Sequence, residues 1–228
     1  IENGLADNVL LENGGRLDVV NGTTAKDTHI NNGGTLNVRN GGNATGVDQK
    51  NGGALIASTD KTTVVKGSNS LGTFSIENGL ADNVLLENGG RLDVVNGTTA
   101  KDTHINDGGT QWVNNGGTAE NTTISGGKQT VSSGGTANGT IISGGTQYVY
   151  GTAENTIING GTQYVFRGGT AENTTINSGW QNVYSGGTAN DTTISGGIQY
   201  VYGTANDTTI SGGIQYVYGT ANDTTISG

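Results

Sequence analysis

The sequence predicts an all-β chain wound as a right-handed, three-sided parallel β-helix of about twelve coils, with 16–19 residues in each coil. Three observations carry this expectation. The stretch SGGIQYVYGTANDTTI at 195–210 returns letter for letter at 211–226, and most of the chain is a looser copy of it. Apolar residues recur at fixed places in every copy while the residues between them vary. Gly or Gly-Gly punctuates each copy, as corners do in a solenoid whose coils bury their apolar faces only against one another.

Each element follows from its columns. After the Gly-Gly start, one column holds Leu17, Leu36, Leu55, Phe74 and Leu92, and then Gln111, Gln129, Gln147, Gln163, Gln181, Gln199 and Gln215. Two residues on stand Val19, Val38, Ala57, Ile76, Val94, Val113 and their successors to Val217. Fixed positions alternating with free ones are the period of a strand with one buried face. A second strand is marked by a column of small residues (Ala25, Ala44, Ala100 and onward to Ala221), expected where the core is narrow. Three residues later comes Thr or Val (Thr28, Val47, Thr103, Thr122, Thr208), and two later Ile30, Ile105 and onward to Ile226. The three-residue step breaks the alternation and implies a corner, and it falls on Asn121, Asn155, Asn173, Asp191 and Asp207, types that tolerate left-handed backbone. The three 16-residue coils drop two residues at an outer corner such as Tyr150-Gly151, which leaves the inward columns intact. Residues 58–71 fit no column and read as an irregular coil with a loop, in which the facing of Val64 and Val65 is open.

Two blocks meet near residue 107. Residues 1–107 carry Leu or Phe in the first inward column and include the irregular coil at 58–71, whereas 108–228 carry Gln there. Residues 1–31 reappear unchanged as 76–106, a duplication that unequal recombination and concatenation both produce. The sequence opens without an initiator Met or leader and stops in mid-repeat, as a segment of a longer chain or a processed product would.

Composition narrows the function classes. The 228 residues include 43 Gly and no Pro, Cys or Met, with 31% hydrophobic and 13% charged residues and a formal net charge of −9. Low hydrophobicity alone would suggest disorder, but disorder needs no register, and the columns are strict. An acidic chain with no basic stripe is not expected to bind nucleic acid. No apolar run approaches the ~20 residues of a membrane span, so the segment itself is not expected to insert in a bilayer. Without Cys there is neither disulfide nor thiolate chemistry.

No catalytic, cofactor or metal site is expected. Arg16 and Arg91 are repeat equivalents, as are His29 and His104, so no base, nucleophile and orienting group converge in the way that enzymes require. The Gly-Gly pairs are not phosphate cradles, because no helix follows them. They read as corners where a Cβ would be in the way. Seven inward Gln in consecutive coils would be costly unless stacked amide to amide along the rod. Leu in the same column earlier suggests that Gln163→Leu would be tolerated there.

Three outward sets are candidates for contact. Glu120, Thr123, Glu154, Glu172, Thr175, Asn190, Thr193, Asn206 and Thr209 are expected to form a flat polar face able to dock on an inverted copy of itself. Trp112, Tyr148, Tyr164, Tyr200 and Tyr216 form an aromatic surface, beside a second file of Tyr150, Phe166, Tyr184, Tyr202 and Tyr218. It serves either to stiffen the sheet or as a platform for sugars or a partner. Ser125, Ser143, Ser195 and Ser211 precede Gly-Gly at an exposed corner.

The unit GGTAENTTISGGKQTV at 116–131 and the block ADNVLLENGGRLDV at 6–19 and 81–94 resemble the passenger repeats of self-associating autotransporters, of the type of the adhesin involved in diffuse adherence, TibA and antigen 43. The resemblance covers nearly the whole chain and is weakest at 58–71. It implies a β-helix on the outer surface of a Gram-negative cell that mediates adhesion, aggregation and biofilm formation. The partners it implies are further copies of the chain and host-cell surface glycans or proteins. It also implies Ser-linked heptose in some members, which would make Ser125, Ser143, Ser195 and Ser211 acceptors for a heptosyltransferase.

Overall fold

The computed structural model describes residues 4–227, and those residues are strands and turns without a helix. They wind as a parallel β-solenoid of about twelve turns in which each regular coil lays down three short strands. In the coil beginning at Gly126 these are Lys128–Val131, Thr136–Asn138 and Ile141–Ile142. Each pairs in parallel with its equivalent one coil away, Gln129 on Gln147, Ala137 on Ala153 and Ile142 on Ile158. The expected columns are therefore real stacks, and the alternation of buried and exposed residues along Lys128–Val131 and Thr146–Val149 follows the sequence period.

The corner between the Ala strand and the Ile strand is made as the Asn and Asp column anticipates. Asn121, Asn155, Asn173, Asp191 and Asp207 have φ of 51–54°, and Gly46 and Gly139 take the same corner in their coils at 66° and 71°. At the corner before the Gln strand, Gly108 and Gly179 take φ of 76° and 86°, while the other Gln coils close it by close approach without positive φ. A Cβ on Gly127 would lie 2.4 Å from the Gly109 carbonyl oxygen and 2.5 Å from Cγ2 of Ile105, so coils can stack at rung spacing only if this residue is Gly. In the short coils Gly151 packs directly over the preceding corner while Gln129–Gln147 and Thr136–Thr152 stay in register. Losing two residues alters the outside alone.

The regular winding is broken once. Val64–Asn69 and Gly72–Glu77 form an antiparallel hairpin through the two-residue turn Ser70-Leu71, and Gly72–Glu77 pairs antiparallel with Leu80–Asp82 through Asn78-Gly79. Phe74 and Ile76 therefore do not continue the Leu and Val columns. Ile76 pairs with Val65 on one side and Ala81 on the other, inside the Ala stack, and both it and Phe74 are buried there. Val65 is fully buried and Val64 only partly, which settles their facing. On the Leu side the next strand, Arg91–Val94, stacks directly on Ala54–Ser58 with a slip of two, so that Leu92 lies over Ala57, which the columns had aligned with Val94. Between these elements Asp60 turns the chain: burial works against its charge, yet hydrogen bonds from Thr62, Thr63 and Ser58 hold its carboxyl below the usual carboxylate range.

The core changes character along the rod. Through the Leu coils it is one continuous apolar cluster, with Leu36, Leu92, Val38, Val94, Ile30 and the Ala residues in mutual contact. From Gln111 onward a polar seam divides it, leaving the Ile file on one side and separate Val–Ala clusters, such as Val149, Val165, Ala153 and Ala171, on the other.

Candidate functional site

That seam is a ladder. The side-chain amide of each Gln donates through Nε2 to Oε1 of the Gln one coil earlier, from Gln129→Gln111 through Gln199→Gln181 at 2.7 Å and Gln215→Gln199 at 2.8 Å. A primary amide has two N–H groups, and the second finds the buried Thr column: Gln129 donates to Thr122 at 3.1 Å, Gln147 to Thr140 at 3.2 Å and Gln199 to Thr192 at 3.3 Å. Thr122 and Thr140 donate in turn to the oxygen of the preceding Gln. The amide ladder was legible in the sequence, but its Thr rail was not. The signal was available, since Thr replaces Val in this column wherever Gln replaces Leu nearby. The rail is not continuous: Thr28, in a Leu coil, and Thr174, beside Gln181, have no partner for their buried hydroxyls.

Outside the core, the nine residues expected to make one flat polar face divide between two. Glu120, Glu154, Glu172, Asn190 and Asn206 project from the Ala strands, whereas Thr123, Thr175, Thr193 and Thr209 lie beyond the left-handed corner on the Ile strands. The corner residues Asn121, Asn173, Asp191 and Asp207 form the ridge between them. The flat face is that of the Ala strands alone, and its second outward file is Thr118, Thr136, Thr152, Thr170, Thr188 and Thr204, which the columns show as the constant residue before Ala. Its amides already bond within the rod, Asn206 to Asn190 and Asn222 to Asn206 at 2.8 Å. Its charge is mixed at one end and acidic further on: Asp7 stacks on Lys26 and Asp82 on Lys101, ahead of Glu120, Glu154 and Glu172 in one register column, with Lys101 Nζ 3.2 Å from Glu120.

The serines and aromatics lie where the sequence puts them, on the outside. Ser125, Ser143, Ser195 and Ser211 are all exposed at the corner between the Ile and Gln strands, and Asn159 and Asn177 fill the same place in the intervening coils, bonded to each other at 2.8 Å. Trp112 and Tyr216 are exposed and Tyr148, Tyr164 and Tyr200 partly so. The second file stacks without a gap, Tyr150–Phe166 at 4.5 Å, Phe166–Tyr184 at 5.1 Å, Tyr184–Tyr202 at 6.2 Å and Tyr202–Tyr218 at 4.9 Å. In the first, Tyr148–Tyr164 and Tyr200–Tyr216 stack at 5.6 and 5.1 Å with Asn182 between the pairs. Of the groups with acid–base chemistry, His29 sits 3.2 Å from Asp48, while its repeat equivalent His104 instead meets the Asp102 carbonyl. Arg16 and Arg91 pair with Asp18 and Asp93 on their own strands.

Comparison with known proteins agrees with this architecture. Residues 1–53 and 66–127 match the family model "AIDA: Adhesin of bacterial autotransporter system, probable stalk", and the interval between the two matches contains most of the coil that precedes the hairpin. A 129-residue stretch is 47% identical to the probable autotransporter YpjA of Escherichia coli K12, over 48% of this chain and 8% of that protein. The autotransporter adhesin/invasin TibA of Escherichia coli O78:H11 is 48% identical over 52 residues, 23% of this chain and 5% of TibA. Autotransporter CRAC of Citrobacter rodentium is 58% identical over 106 residues, 46% of this chain and 6% of CRAC. The chain thus spans under a tenth of the length of these curated relatives. Among solved structures, a TibC-catalyzed hyper-glycosylated fragment of TibA superposes with a TM-score of 0.66 at 34% identity, over 96% of this chain and 84% of the fragment. Passengers of this kind are exported through the outer membrane to the bacterial cell surface, and with half its residues in the family match and a glycosylated TibA fragment as structural relative, this chain belongs to the adhesins of the bacterial autotransporter system.

Proposed function

We propose that this segment is an adhesive surface that binds copies of itself side by side, driving aggregation and biofilm formation, and that the same surface meets host-cell glycans or proteins. The observation that carries this is the outer face of the Ala strands, where Thr and Glu or Asn repeat in unbroken register from Thr118 to Asn206. A flat ladder of short polar groups can align many weak contacts at once, and each adds to the others because the rod fixes their spacing. Each contact is worth about 0.5–1.5 kcal/mol net, so single substitutions should barely register and several together should abolish association.

The test is sedimentation velocity on two variants. Glu154→Ala, Glu172→Ala, Asn190→Ala and Asn206→Ala together should leave a monomer, while Tyr148→Ser, Tyr164→Ser, Tyr200→Ser and Tyr216→Ser together should still associate. Dissociation by the tyrosine set with the polar set unaffected would make the aromatic files the interface.

A second reading has its own support. The four corner serines are exposed, and the solved relative is a glycosylated fragment. On this reading the rod is also a repeat scaffold for a heptosyltransferase. Co-expression with such an enzyme, followed by peptide mapping, should place heptose on Ser125, Ser143, Ser195 and Ser211. Sugar confined to Thr122 or Thr208, each 1% exposed, would overturn both the acceptor assignment and the facing of the corner.

A further inference from the structure

The first aromatic file is interrupted at one coil, just before the second file begins at Tyr150. Trp112, Thr130 and Tyr148 are successive rungs of the first file, and Ser132 precedes Tyr150 in the second, so the coil of Thr130 carries no ring in either. The gap at Asn182 is different, because there Tyr184 of the second file closes against Tyr164 at 6.0 Å. At Thr130 the result is a cleft of about 450 Å³, walled by Trp112 on one side and Tyr148 and Tyr150 on the other, with Thr130, Ser132 and Ser133 at its base.

We propose that this cleft binds one neutral pyranose ring of a glycan. Two rungs separate its walls by about 9.6 Å, and rings in filled rungs stand 4.5–6.2 Å apart, so the missing rung leaves room for one ring between two aromatic faces. A pyranose offers apolar C–H faces to such walls and hydroxyls at its rim, and the three hydroxyl side chains of the base can partner those. No carboxylate, Lys or Arg lines the cleft, which favours a neutral sugar over an anionic one. An aromatic side chain from another protein would stack equally well but would cover the three hydroxyls without satisfying them. The walls are fixed in advance. Arg91 holds the Trp112 indole at 5.3 Å from the preceding coil, and Tyr148 and Tyr150 are stacked on Tyr164 and Phe166.

The measurement is Trp112 fluorescence in a Trp180→Phe background, which removes the other indole. Dilute unglycosylated chain is titrated with neutral methyl pyranosides and, separately, with p-cresol as a mimic of a tyrosine side chain. A saturable change at millimolar glycoside is expected, lost in Thr130→Tyr, which supplies the missing ring as Tyr148 does one coil on and so should keep or raise the thermal midpoint. Ser132→Tyr closes the cleft from the second file and should give the same loss should Thr130→Tyr fold poorly. No response to any pyranoside, a response that survives both substitutions, or a response to p-cresol alone would each overturn the proposal. Because the titration uses dilute protein and reads one side chain, its outcome is independent of whether the rod self-associates.

Discussion

Replacing Gln163 by Glu should unfold the middle of the rod at neutral pH and largely spare it in acid. Gln163 is fully buried; it donates to Gln147 at 2.7 Å and to Thr156 at 3.3 Å, and its oxygen accepts from Gln181 at 2.7 Å. A carboxylate there meets the Gln147 oxygen instead of donating to it, and no cation is within the seam to compensate the charge. An uncompensated buried charge costs several kcal/mol. The carboxyl escapes by protonating, and as an acid it can donate to Gln147 and accept from Gln181 as the amide did. Its folded pKa is therefore raised above the unfolded value, so stability is fullest at low pH and is lost as pH rises through the folded pKa. Gln163→Leu tests the ladder differently. The Leu column of the earlier coils suggests tolerance, but here Leu leaves Gln181 without an acceptor and Gln147 without a donor, each a buried group whose lost partner costs about 1–3 kcal/mol. Thermal midpoints at neutral pH should fall in the order wild type, Leu, Glu. A Glu variant as stable as wild type at neutral pH would remove the ladder from the account.

The columns made the fold legible because a solenoid repeats its physics every coil. The left-handed corner announced itself through Asn and Asp, and the packing limit through Gly. The hairpin was hidden for the same reason. Gly72-Thr-Phe-Ser-Ile mimics the spacing of Gly34-Thr-Leu-Asn-Val, and column matching carries no information about chain direction. What separates them is the flanks. Gly67-Ser-Asn-Ser-Leu-Gly72 is a turn cluster between Val64-Val65 and Phe74-Ile76, and Asn78-Gly79, with φ of 53° and 81°, is the strongest short hairpin signal a sequence offers.

The outward candidates were legible as columns but not as faces. Facing along one strand follows from a period of two, whereas the angle between two strands depends on the corner joining them. Glu120 and Thr123 are three residues apart and both point outward, yet Asn121 turns the chain between them at φ 54°. The aromatic gap at Thr130 was visible as a missing letter, but its meaning required the stacked rings on one side and the Arg91-backed indole on the other.

Ala171→Leu should open the coils around it and leave the rest of the rod intact. Ala171 is fully buried between Ala153 and Ala189 and packs with Val149, Val165 and Val183. The Gln ladder bounds this cluster on the inside, Gln163 and Gln181 bonded in series at 2.7 Å. Three added carbons overpack the site at a cost of roughly 1–3 kcal/mol or more. Among the described residues, side chains larger than Ala occur in this stack at Val65 and Ile76, where the antiparallel hairpin replaces the regular winding, and Ile76 alone matches Leu in size. A Leu at Ile76 should therefore be tolerated while a Leu at Ala171 is not. Since each coil contacts only its neighbours, amide exchange in Ala171→Leu should quicken through roughly residues 150–190 and stay slow around Leu36 and Leu92. Uniform loss of protection from end to end would mean that the rod unfolds as one cooperative body, and the nearest-neighbour account of its stability would fail.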